Sequence, residues 1–314
     1  HREAFPQCRR LLDQIGVIAG LRAQQRGLDQ PMVANALCAA EQAQLLAMDV
    51  EHVFEREIVH LLRQRLVDGG PARRALGVKP LDGRVYPAVV DGSVVWIVDA
   101  YTTSDQYPYS AIRNLQEVTA DSLSTTAVAI ADAESQNVNY MRNSVKAVVD
   151  AYDGSVTLYQ WDEEDPILNA WKGIFPDILA PVDEVSGDLM SHFRYPEDLF
   201  KVQRELITRY HVQDPFSFYS GNDFWQVPND PISGEAVPQP PFYMTVTMPE
   251  EEQANFALTT AFIPGGQSGR QILTGYMSVN ADAGSEPGVV SDDYGKIHVL
   301  ELPRDLTVPG PGQV

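Results

Sequence analysis

Asp99, Tyr101, Asp105, Tyr107 and Tyr109 fall within one short stretch, WIVDAYTTSDQYPYS at 96–110. A carboxylate held at a strand end can act as a general base once burial raises its pKa. Tyrosines pair an apolar ring with a polar tip, which suits stacking on sugars or peptides. The same residues have a structural reading, with Asp99 and Asp105 closing loop amides and Tyr-Pro-Tyr packing in a core. VDAY returns at 149–152 and brings a further carboxylate, Asp150. A second polar group is HFRYPEDLF at 192–200, where His192, Arg194 and Glu197 could line a cleft, with His211 one helix later. It reads equally as a helix start with a paired arginine and a polar histidine. Asn139, Arg142, Asn143 and Lys146 are ambiguous in the same way. The candidate ligand-binding residues are therefore Asp99, Tyr101, Asp105, Tyr107, Tyr109, Asp150, Arg194 and Glu197, with no catalytic residue assigned.

Standard catalytic motifs are missing. GGQSG at 265–269 lacks both the P-loop ending and the spacing of a nucleophile elbow, and its place between two strands makes it a hairpin loop. Cys8 and Cys38 could pair across two packed helices or stay as isolated thiols; neither CxxC nor zinc spacing occurs. The acidic runs Asp162-Glu163-Glu164-Asp165, Glu250-Glu251-Glu252 and Asp292-Asp293 lack the alternating oxygen ligands and turning glycine of a calcium loop. They read as solvated loops, and the sequence implies no metal and no cofactor.

The elements that must hold these residues follow from periodicity. Residues 1–68 read as a helical unit of three helices, with Leu11, Ile15 and Ile18 at helical spacing. The stretch 69–84, rich in glycine, proline and basic residues, reads as a linker. From 85 the pattern turns to strands. Asp91-Gly92 and Asp153-Gly154 each sit between β-rich runs and predict two hairpins, with VDAY at a strand end in both. Residues 111–139 form a long polar connection. Asp165-Pro166 predicts a capped helix. Pro196 opens another, with Leu199, Val202, Leu206 and Tyr210 along one face. FYMTVTM, NFALTTAFI, ILTGYMSV and KIHVLEL then predict a C-terminal antiparallel meander. The fold class is α+β over 85–314: an antiparallel sheet of hairpins and a meander with helices packed on it, beside the separate N-terminal helical unit.

Charge narrows the partners. With 43 acids against 23 bases, the net charge of −20 repels a phosphate backbone, which argues against nucleic acid. By the same argument, a ligand at the 96–110 rim is expected to be uncharged or cationic. No run of about 18 apolar residues is present to span a bilayer, and the polar opening His1-Arg2-Glu3 is not a signal peptide.

WIVDAYTTSDQYPYS, NYMRNSVKAVVDAYDGSVTLY, DPILNAWKGIFP, FRYPEDLFKVQRELITRYHVQDPFSFYSGNDFW and the closing VLELPRDLTVPGPGQV together resemble an uncharacterised family of large bacterial multi-pass membrane proteins. The similarity runs from about Tyr86 to Val314. Residues 1–80 do not match what would be expected upstream. The resemblance implies a transmembrane bundle outside this chain and an extracytoplasmic location for the chain itself. It supplies no catalytic residues. Two functions stay open. One is a domain binding a cell-envelope ligand or a membrane-protein partner. The other is a glycosidase-like envelope hydrolase using carboxylates near Asp99 and Asp150. The missing nucleophile and metal motifs favour the first.

Overall fold

The computed structural model describes residues 78–82, 84–123, 137–233, 236–249, 251–266, 271–303, 305 and 307–313. The helical unit at 1–68, both cysteines and most of the 69–84 linker lie outside the described residues. Within that linker stretch, Val78–Leu81 forms strand β1, which pairs with a long strand of the first sheet. The glycines and prolines before it masked a short edge strand.

The first sheet is built on local turn chemistry. β2 (Tyr86–Val90) and β3 (Ser93–Ser104) meet at Asp91-Gly92, whose φ values of 50° and 82° are those of a type I′ turn. β3 pairs in turn with β6 (Tyr140–Asp150), and β6 with β7 (Val156–Gln160). All pairings are antiparallel, in the order β1-β3-β6-β7, with β2 sharing the β3 edge with β1. The first VDAY lies in mid-strand, because β3 continues to Ser104. The second straddles a strand end: β6 stops at Asp150, whose Oδ1 accepts the amides of Tyr152 and Asp153 in the turn. A register shift after Ala100 leaves Ser144 without a cross-strand partner, the usual mark of a β-bulge.

Both faces of this sheet are covered. One packs Val98, Ala100, Val145 and Ala147 against Leu168 of a helix at Pro166–Ile174. The other packs Val95, Ile97 and Val148 against Leu189, Met190 and Phe193. Full burial of one such aliphatic side chain contributes about 1.5–3 kcal/mol. The connection after β3 carries β4 (Arg113–Asn114), helix α1 (Leu115–Thr119) and β5 (Asn137–Val138). Next come α2 (Pro166–Ile174), with Asp165 capping the Ile167 amide as expected, and α3 (Gly187–Met190). α4 (Glu197–Tyr210) and α5 (Pro215–Ser220) follow.

The second sheet is the expected meander. β9 (Phe242–Val246), β10 (Asn255–Pro264), β12 (Gly275–Asn280) and β13 (Ile297–Glu301) are antiparallel neighbours in that order. Short β8 (Trp225–Gln226) adds to the far end of β10, and β11 (Ile272–Leu273) pairs with β14 (Val308–Pro309). Phe200 of α4 packs with Leu258, Phe262, Met277 and Val279 of this sheet. The fold is thus α+β. Among the described residues no helix is long and apolar enough to cross a membrane.

Candidate functional site

Helix α4 organises the polar interior. Its residues Leu206 and Tyr210, expected on the buried face, are 40% and 57% exposed. The side chains it buries are Glu197, Phe200, Lys201, Arg204 and Thr208. These recur at the i, i+3, i+4, i+7 spacing of one helical face, so the helix turns a mostly polar stripe inward. The reason lies in partners from remote parts of the chain. Pro196, the residue before the helix, offers no capping side chain. Asp82 fills that role, accepting the Asp198 amide at 3.1 Å together with the Tyr101 hydroxyl and the Arg84 amide. Glu197 lies 3.5 Å from Arg84 and 3.1 Å from Lys201. Lys201 also meets Asp121 at 2.6 Å and Asp198 at 3.4 Å. Burial pushes the Lys201 pKa down, but these three acids outweigh it and raise it above the ordinary lysine value.

Arg204, one turn further, differs. It is 2% exposed and donates one hydrogen bond, from Nη1 to the Gln239 carbonyl at 2.9 Å. Among the described residues it has no carboxylate within ion-pair distance. Burial lowers its pKa to about 10, against weaker pulls from Asp121, Glu197 and Glu205. Arg204 lines a cleft of about 640 Å³ between α4, α1, β8 and the start of the loop after β10. Arg113 and Arg209 line the same cleft and likewise make no ion pair among the described residues. Arg209 sits over the Phe224 ring at 5.9 Å. The floor is tightly built. Gly265 donates to the Phe224 carbonyl at 2.7 Å, and a Cβ on it would meet that oxygen at 2.7 Å. The start of GGQSG thus forms part of the cleft wall as well as a strand connection.

The sequence-expected candidates are dispersed. Asp99 is buried in the first sheet opposite Lys146, its Oδ1 2.5 Å from Lys146 Nζ and 3.1 Å from Asn143 Nδ2. Lys146 Nζ also donates to the Arg194 carbonyl at 3.0 Å. It lies 4.8, 5.3 and 6.0 Å from the ring centres of Trp161, Phe193 and Tyr294. Burial pushes the Asp99 carboxyl up and the Lys146 ammonium down, and their mutual attraction opposes both. Tyr101 is buried on Asp82, and burial drives its pKa well up. Asp105, Tyr107 and Tyr109 are exposed, with Tyr107 stacked on Tyr140 at 5.9 Å. Arg194 lies 3.6 Å over the Tyr86 ring and 4.7 Å from that of Tyr243. Asp150 holds its turn, and Glu197 belongs to the Lys201 cluster. None of the eight lines the arginine cleft.

Three acids read as solvated loop residues are engaged. Asp162 pairs with Arg142 at 2.6 Å. Asp165 accepts from Thr102, Ser144 and Tyr140 besides capping α2. Glu251 accepts from Asn280 and lies 3.3 Å from His298. Among the described residues no group of three or more histidine, cysteine, aspartate or glutamate side chains is placed to hold a metal ion.

A family model described as "Uncharacterised protein family (UPF0182)" matches residues 72–314. A UPF0182 protein of Paenarthrobacter aurescens is 56% identical over 255 residues, covering 80% of this chain and 26% of the relative. Another from Bifidobacterium adolescentis is 53% identical over 258 residues, 80% of this chain and 24% of the relative. A third, from Clavibacter michiganensis, is 47% identical over 279 residues, 86% of this chain and 28% of the relative. The matched region thus spans about a quarter of the length of these curated bacterial relatives. No solved structure matches the chain.

Proposed function

Because this chain belongs to the uncharacterised protein family UPF0182, we propose that it is a ligand-binding domain of a much larger bacterial membrane protein, held on the extracytoplasmic side. One observation carries the binding reading: a cleft of about 640 Å³ with a buried arginine in its wall that makes no ion pair among the described residues. Small-molecule sites have this size, and charged side chains such as Arg113, Arg204 and Arg209 share the lining with apolar ones such as Val118, Phe224 and Val227. The length of the relatives supports a role within a larger assembly. The membrane setting is the expectation drawn from the sequence resemblance over 86–314, which implies a transmembrane bundle outside this chain.

The hydrolase alternative finds no support in the carboxylates named for it. Asp99 pairs across from Lys146 and Asp150 across from Val95, so the two are four residues apart along the ladder. That is roughly 13 Å at the rise of a strand, beyond the roughly 5–10 Å span of a glycosidase pair. Asp99 is also closed off by Lys146 and Asn143.

The test is a thermal-shift screen of the full chain against neutral glycans, cationic peptides, anionic envelope fragments and divalent ions. At least one class is expected to raise Tm in a saturable way. If none does, the binding reading fails. A topology reporter fused after Val314 in the full-length protein checks the location; cytoplasmic reporter activity would refute it.

A further inference from the structure

We infer that the cleft beside α4 takes a phosphate group carried on a small, partly apolar molecule, with Arg113, Arg204 and Arg209 as its donors. This names the ligand of the site proposed above and rests on that reading.

The argument begins with how α4 distributes its charges. Lys201 and Arg204 lie one turn apart on the same buried face. Lys201 collects Asp121, Glu197 and Asp198 within 3.4 Å, while Arg204 receives no carboxylate among the described residues. Burying a cation without a partner costs several kcal/mol, and a protein with 43 acids has counter-charges in abundance. A buried guanidinium with one hydrogen bond among the described residues, set in the wall of a cleft, has donors left for an anion from solvent.

Geometry extends this. Arg204 and Arg209 come from α4, and Arg113 from β4 beside α1, so donors are drawn from two separate elements of the lining. Guanidinium groups present paired N–H donors that match oxyanions two at a time. Three of them exceed what one carboxylate can accept and suit the three or more oxygens of a phosphate. Glu117 and Glu205 also line the cleft and oppose any anion, a repulsion that the three guanidinium groups must outweigh. Val118, Phe224 and Val227 supply an apolar side for the remainder of the molecule. The basic cleft also answers the objection from net charge. At physiological ionic strength the field is screened over about 8 Å, so an anion inside the cleft responds chiefly to the groups that line it, where three arginines outnumber two glutamates.

The test uses the full chain and three probes: inorganic phosphate, glycerol phosphate, and vesicles of phosphatidylcholine with phosphatidylglycerol. Sodium chloride at matched ionic strength and free glycerol are controls. Affinities come from calorimetry or thermal shift, and vesicle binding from co-sedimentation. Glycerol phosphate is expected to bind more tightly than inorganic phosphate. Arg113→Gln and Arg209→Gln should each weaken it about tenfold, the loss of one charge-assisted contact. Lys296→Gln, which removes the same charge away from the cleft, should bind as the unaltered chain does. Sedimentation with phosphatidylglycerol vesicles that Arg209→Gln abolishes would identify a lipid headgroup as the source. Glycerol phosphate binding without sedimentation would identify a soluble phosphate. If Arg204→Gln does not fold, the two more exposed arginines still decide the matter. Absence of binding by every phosphate probe, or unchanged affinity in both Arg113→Gln and Arg209→Gln, overturns the inference. Should a neutral glycan or cationic peptide bind while phosphate does not, the phosphate inference falls and the binding reading stands. Should nothing in either set bind, both fall.

Discussion

Lys146 and Arg204 are both withdrawn from water, 0% and 2% exposed, yet their surroundings are opposite. Lys146 meets Asp99 on the neighbouring strand, a backbone carbonyl and three aromatic faces. Arg204 meets one carbonyl and the wall of a cleft. Burial of a charge therefore does not by itself mark a site in this protein. The mark is burial without matching, and it separates a structural ion pair from a group with capacity left for a ligand.

The largest effect expected from this contrast lies at the matched pair. Lys146→Met leaves the Asp99 carboxylate buried without its cation and should cost about 3–5 kcal/mol of stability. An added Asp99→Leu should recover most of that loss, because removing both charges removes the desolvation cost as well. Urea unfolding of the single and double variants measures both. A single-variant loss under about 1 kcal/mol would mean that the pair is not matched in the way described, and the contrast with Arg204 would collapse.

At Arg204 the expected cost is smaller. Arg204→Met keeps the aliphatic stem and removes a desolvated cation that no carboxylate among the described residues pairs directly. It leaves the Gln239 carbonyl without its donor, so a loss of about 1 kcal/mol is expected, with phosphate binding abolished. A loss of 3 kcal/mol or more in the same urea experiment would make Arg204 a structural residue like Lys146.

What the sequence showed, and what it hid, follows the same division. The Asp91-Gly92 hairpin and the Asp165-Pro166 cap were legible because each depends on residues within a few positions, and the C-terminal meander because each of its strands carries its own β-rich run between turn residues. The orientation of α4 was not. Hydrophobic spacing chose Leu199, Val202, Leu206 and Tyr210, while the helix buries Lys201, Arg204 and Thr208. Counter-charges for that face come from Asp82, Arg84 and Asp121, more than 70 residues away, and no local pattern reports them. One signal was available: Lys201, Arg204, Thr208 and Arg209 repeat at helical spacing, a basic stripe in an acidic chain. VDAY carries the same lesson. Four identical letters give a buried Asp99 in one context and a turn-capping Asp150 in the other, because neighbouring strands decide which carboxylate is enclosed.

Acid should loosen the closed side of the first sheet in a defined way. Burial pushes the Asp165 carboxyl up, but hydrogen bonds from Ser144, Thr102, the Ile167 amide and Tyr140 outweigh it and hold it below the usual range. A carboxyl depressed on folding stabilises above its unfolded pKa of about 3.9. That contribution is lost as pH falls through the lower folded value. Ser144→Ala should therefore cost about 1–2 kcal/mol at pH 7. The deficit should shrink as Asp165 is protonated in both proteins, read as unfolding free energy against pH. A deficit that stays constant down to pH 2 would assign the loss to packing at the bulge instead.

The smallest effects are expected at the tyrosine rim, the opposite extreme from both buried cations. Tyr109 is fully exposed and sits at φ 59°, a left-handed conformation that costs a non-glycine residue about 1 kcal/mol. Tyr107 is held by its own loop: Asn139 accepts its amide at 3.0 Å and donates to its carbonyl at 2.7 Å, and Tyr140 stacks on its ring. These contacts are satisfied within the loop, and neither tyrosine lines the arginine cleft. Tyr109→Gly removes the φ strain but loosens the unfolded chain, two terms of similar size and opposite sign, so stability should change by less than about 0.5 kcal/mol. Tyr107→Ala loses one stacked ring contact, about 0.5–1 kcal/mol. Both variants should bind glycerol phosphate with unchanged affinity. A weakening beyond about threefold in either, on the order of 0.7 kcal/mol, would move the site from the cleft to the rim. It would also make exposure of aromatic rings, rather than unmatched buried charge, the feature that marks function in this domain.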